Sequence, residues 1–121
     1  MNISTMINDS PTREFDVGSL SGGAYTAVEL TAGGMSIAGA SSIPIGLLIE
    51  DVVNDTASVQ IEGGGYWLTG ESIQAGDLLS SDANGKAVKS TSGKFIFAQA
   101  IGNAAASSAV EVQIVRAGFK A

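Results

Sequence analysis

Val110-Glu111-Val112-Gln113-Ile114 alternates apolar and polar residues without a fault, the pattern of a strand with one face on a core and one in water. Continuing the alternation would turn Arg116 inward, where an unpaired charge is costly, so the strand is expected to end or bulge near Val115. Working outward, Ser58 to Glu62 (SVQIE) alternates in the same way, with Val59 and Ile61 on one face. Ala24 to Leu30 lies between Gly23 and Gly33-Gly34 and reads as a strand. Ile45 to Ile49 follows Pro44 as a short buried strand, and Leu78-Leu79 and Phe95 to Ala98 complete the set.

The turns agree with the strands. Asp82-Ala83-Asn84-Gly85 stands between Leu78-Leu79 and Ala87-Val88, and Asn-Gly supplies the positive φ of a tight hairpin. Gly63-Gly64-Gly65 reads as a sheet corner or a close backbone approach. Two stretches have helical potential, Ser72 to Ala75 and the alanine-rich Asn103 to Ala109 with Asn103 as N-cap, and neither is long enough to be stable alone.

A shift of 53 positions lays Val59-Gln60-Ile61 on Val112-Gln113-Ile114, Gly23 on Gly76, Ile43 on Ile96, Gly65 on Gly118 and Tyr66 on Phe119. Two similar halves that paired their edges would close a small barrel. The expected fold is mainly β: a small single-domain β-barrel or β-tulip-like unit over residues 14–121, built from two similar halves and with at most one or two helical turns. Residues 1–13, polar with Ile3, Met6 and Ile7 scattered through them, read as a flexible N-terminal arm.

Composition narrows the function. The 121 residues include no cysteine and no histidine, which removes disulfides, thiol nucleophiles, His-based general bases and Ser-His-Asp triads. No apolar run approaches the roughly 18 residues of a membrane span, and the start lacks the basic and apolar regions of a secretory signal. Net charge is −6 and uneven: residues 1–85 hold Arg13 against eleven acids, and residues 86–121 hold five basic residues against Glu111. Positives spread over strand-like segments of an acidic chain do not make a nucleic-acid surface.

No catalytic constellation stands out. Gly85-Lys86 lacks the upstream glycine of a phosphate-binding loop, and Leu68 occupies the place of the last glycine in a dinucleotide fingerprint. Glu50, Asp51 and Asp55 are not spaced as a calcium loop. The expectation is a non-enzyme with no metal and no cofactor. Lys86 at a hairpin tip leaves open a carrier domain or small-molecule binder. Trp67 fits either the rim of the core or, with Tyr66, an exposed interface aromatic.

These pieces, in order, resemble the small capsid cement (head decoration) proteins of tailed bacteriophages. The resemblance runs from about Gly23 to Arg116 through IPIGLLIED (Ile43 to Asp51), SVQIEGGGYW (Ser58 to Trp67), IQAGDLLSSDANGKAV (Ile73 to Val88) and AIGNAAASSAVEVQIV (Ala100 to Val115). In that family an Ala-Gly-Asp, a strand, an Asn-Gly-Lys hairpin, an Ile-Gly strand, an alanine-rich stretch and an alternating strand make up the second half. Ala75-Gly76-Asp77, Asn84-Gly85-Lys86, Ile101-Gly102-Asn103-Ala104 and Val110 to Val115 stand in those places. The resemblance implies a subunit on the capsid exterior of a virion, made in the bacterial cytoplasm and bound to the major capsid protein and to itself as a homotrimer, with no nucleic acid or membrane as partner. Ile3, Met6, Ile7 and Arg13 are then the candidate capsid contacts. Ile73 to Leu79 also resembles the start of β-clip domains, which leaves a different binding module open, and a phage tail or adhesion module is a further expectation.

Overall fold

The computed structural model describes residues 12–16, 23–32, 34–49 and 56–121, and among these every regular element is a strand. The first sheet holds β1 (Thr12–Asp16), β2 (Ala27–Thr31), β3 (Gly34–Ile37), β4 (Gly46–Leu48) and β5 (Thr56–Gln60) in the order β1-β5-β4-β2-β3. The second holds β6 (Gly64–Leu68), β7 (Leu78–Ser81), β8 (Ala87–Lys89), β9 (Phe95–Ala100) and β10 (Ala109–Phe119) in the order β6-β10-β9-β7-β8. Neighbouring strands pair antiparallel throughout both sheets.

Adding five to each label of the first order produces the second, so the two halves share one topology. Their backbone bonds match as well. Tyr25 N–H donates to the Leu48 carbonyl and Leu48 N–H to that of Thr26; Gly76 N–H donates to the Ala100 carbonyl and Ala100 N–H to that of Asp77. The internal repeat is therefore structural, but its offset is not constant. Val59 and Val112, 53 apart, are both buried in equivalent strands, whereas the bonding makes Tyr25, not Gly23, the counterpart of Gly76.

The strands do not close a barrel. The second sheet curls until Thr69 and Ala87 meet at one parallel bridge, but β8 is three residues long and leaves little edge to pair. Burial is instead shared between the sheets. Ala27 and Leu47 join Trp67, Ile73, Leu79, Phe97, Val110 and Val112 in the main core, while Val28, Met35, Leu48 and Val59 form a smaller cluster. The corner between the sheets falls on the triple glycine: Gly63 has φ 82°, and the buried Gln60 side-chain amide donates to the Glu62 and Gly64 carbonyls.

The helical potential is not realised. Ile73 and Ala104 bond to each other reciprocally, at 2.8 and 2.9 Å, and Asn103 Oδ1 accepts from Ala75 N–H rather than capping a helix. Thr69 Oγ1 ties the same loop down through the Ala105 carbonyl at 2.6 Å. With their polar groups satisfied across the two loops, these segments gain nothing from a short helix.

The expected bulge is present. The β9–β10 register slips between Ile114 and Gly118, and Arg116 lies there with φ 47°. Its guanidinium reaches the first half of the chain, donating to the carbonyls of Pro44 (3.1 Å), Ile45 (2.6 Å) and Ile61 (2.7 Å), and lies 5.1 Å from the Phe97 ring centre. Burial lowers its pKa, opposed by the nearby Glu62 carboxylate. Replacing Arg116 with methionine keeps the stem but removes the three donors, with an expected loss of about 2 kcal/mol in urea unfolding. Lysine restores little of this, because an ammonium cannot span three carbonyls as the planar fork does.

Candidate docking face

Alternation along β6 separates two neighbouring aromatics. Trp67 points inward, wholly buried, its ring edge-on to Phe97 at 5.5 Å and its Nε1–H donating to the Gly85 carbonyl at 2.8 Å. It is a core residue and not an interface aromatic, because β6 leaves only the opposite face to water. Tyr66 occupies that face and is 51% exposed.

The register builds a row around it. Tyr66 stands opposite Glu111 on β10, and the Glu111 carbonyl accepts from Ile101 N–H, which places Ile101 next across the sheet. Directly opposed residues share a face and bring their Cβ atoms to about 4.5–5.5 Å. Glu111 and Ile101 are both exposed. Tyr25 completes the group, its ring 6.1 Å from that of Tyr66 at an interplanar angle of 63°.

Tyr25 belongs to a turn before β2, not to the strand that the residues Ala24 to Leu30 suggest. Its φ is 70°, rare for a bulky residue. Two backbone bonds hold it there: its N–H to the Leu48 carbonyl at 2.6 Å, and its carbonyl to Leu68 N–H at 2.8 Å. The tyrosine pair thus straddles the junction of the two sheets. No local signal marks Tyr25 in the sequence, since a left-handed turn ordinarily advertises itself with glycine.

The fold is similar to that of the head fiber gp8.5 N base in bacteriophage phi29. The likeness covers 91% of this chain and 98% of that one, with a TM-score of 0.72 and 20% sequence identity. No protein-family model and no curated protein matches the chain.

The other sequence candidates fall as follows. Ile3, Met6 and Ile7 lie outside the described residues. Arg13 is in β1, its backbone paired with Val59, so the strand begins at Thr12, inside the segment read as an arm. Lys86 does not sit at a free hairpin tip. The turn is closed by Asp82 Oδ1, which accepts from Asn84 and Lys86 N–H, and Gly85 is buried with its carbonyl accepting from Ala27 N–H on β2. A swinging-arm attachment site needs a projecting tip, so the carrier reading loses its support.

The recess between the two bridged loops is lined by Ser72, Ile73, Gln74, Asn103, Ala104 and Ala105, none of them titratable. Among the described residues no group of three or more Asp and Glu side chains is placed to hold a metal ion, and no helix is long and apolar enough to cross a membrane.

Proposed function

We propose that this chain is a non-catalytic structural protein of a phage virion, bound to the outside of the head, where it contacts the major capsid protein. The observation that carries the reading is the fold likeness to a phage head fiber base over nearly the whole of both chains. The exposed row around Tyr66 supplies a face suited to protein contact, since tyrosines are enriched at interfaces.

A subunit that binds where shell proteins meet, and binds only the expanded shell, stabilises that shell by mass action. Assembly as a homotrimer would multiply modest single-site affinities through effective concentration. Ile3, Met6 and Ile7 would add apolar contacts to the shell.

The test is co-sedimentation with undecorated expanded heads of the source virus, with unexpanded proheads as control. Saturable pelleting with expanded heads alone is the expected result; pelleting with neither overturns the reading. A chain lacking residues 1–11, cut short of β1, is expected to keep its melting temperature and bind heads more weakly. Equal binding by the truncated chain would remove the role given to Ile3, Met6 and Ile7.

A further inference from the structure

We infer that Tyr25, Tyr66 and Glu111 form a receptor for an arginine side chain of the protein partner, and that Tyr25 is held in a strained conformation to complete it. The inference rests on the virion-docking reading for the partner's identity, but not for the chemistry.

The two halves of the chain supply a comparison. At the turn before β7, the left-handed position is Gly76, with φ 91° and open space where a side chain would begin. At the equivalent turn before β2 it is Tyr25, with the same backbone bond to the neighbouring strand. Glycine adopts this conformation freely and an L-residue does not. The sister turn thus forms without a side chain at this position, whereas Tyr25 keeps 38% of its surface exposed and sets its ring edge-on to that of Tyr66. Strain kept at an exposed aromatic points to a role outside folding.

The surroundings define the partner. Glu111 is the one acid in residues 86–121, and it sits between Tyr66 and Ile101, both about half exposed. Among the described residues it has no ion-pair partner. A carboxylate beside a tyrosine ring is matched by a cation able to lie against the ring while bonding to the acid, and the planar guanidinium does both; Tyr25, packed on the other side of Tyr66, holds that ring in place. On this face the charge is the Glu111 carboxylate, which attracts a basic side chain and repels phosphate groups, and that favours a protein over nucleic acid or anionic lipid as the partner.

The probe is the peptide acetyl-Leu-Arg-Leu-amide, with acetyl-Leu-Gln-Leu-amide as control, followed through the ring resonances of Tyr25 and Tyr66. The arginine peptide is expected to shift both rings at least fivefold more than the glutamine peptide, and Glu111→Gln is expected to abolish the difference. In head co-sedimentation, Tyr25→Gly should stay folded, the relief of its backbone strain offsetting the lost ring packing, yet bind at least tenfold more weakly, and Glu111→Gln should lose affinity together with salt sensitivity. Equal responses to the two peptides, or parent-like head binding by both variants, overturns the inference. An arginine-specific response in a protein that pellets with no heads upholds it and overturns the virion reading alone.

Discussion

Gly46→Ala is expected to prevent the first sheet from assembling. Strand β4 is three residues long and lies between β5 and β2, with Gly46 opposite Val28. A methyl group on Gly46 would overlap the Gln60 carbonyl oxygen and come within 2.5 Å of a Val59 methyl. The first of these is backbone of the neighbouring strand, so no rotamer change relieves it. Either β5 moves away, breaking the Leu47–Gln60 and Leu48–Val59 pairs, or β4 leaves the sheet. Ordinary overpacking costs about 1–3 kcal/mol, and forcing two central strands apart belongs with the exceptional substitutions above about 4 kcal/mol. Because the smaller cluster around Val28, Leu48 and Val59 depends on that pairing, urea unfolding followed by amide resonances should show its signals lost first. A parent-like midpoint would mean that β4 and β5 are not so closely apposed.

The second large effect is expected at Gly85, where two penalties add. Its φ of 74° costs an L-residue about 1–2 kcal/mol. An added Cβ would also stand 2.7 Å from an Ile37 methyl and 2.8 Å from the Ala27 carbonyl oxygen, an overpacking of about 1–3 kcal/mol. Gly85→Ala should therefore lose roughly 2–5 kcal/mol. Its effect should also be visible in the native state, since Trp67, the single tryptophan, donates its indole N–H to the Gly85 carbonyl. Displacing the turn from β2 should admit water beside that indole and shift its emission to the red. Unchanged emission in a folded Gly85→Ala protein would mean that the turn stays seated.

The contrast between these two glycines shows how much was legible beforehand. Gly85 follows Asn84 in a hairpin signal, and the hairpin is there; that its tip is buried against the other sheet is not a property of any local pattern. Gly46 carries no signal at all. The bulge at Arg116 was readable because a charge falls on the buried side of an otherwise regular alternation. Its destinations were not, since Pro44 is 72 positions away and Ile45 is 71. In the candidate face Tyr66 was legible as an exposed aromatic, whereas Glu111, Ile101 and Tyr25 became its neighbours only through register and a turn.

What the sequence determined alone is what short-range sterics and solvation decide: the period-two strands, the Asn-Gly hairpin, the glycine corner, the repeat of the two halves, and the loss of histidine and cysteine chemistry. Tertiary structure decided the rest. It left two curled sheets instead of a closed barrel, sent Trp67 in and Tyr66 out, and set tyrosine at one turn where its sister turn has glycine. Each of those outcomes depends on which distant strand supplies a partner for a backbone group or an apolar face. That energy is shared between residues far apart in the chain, and no window along it contains both.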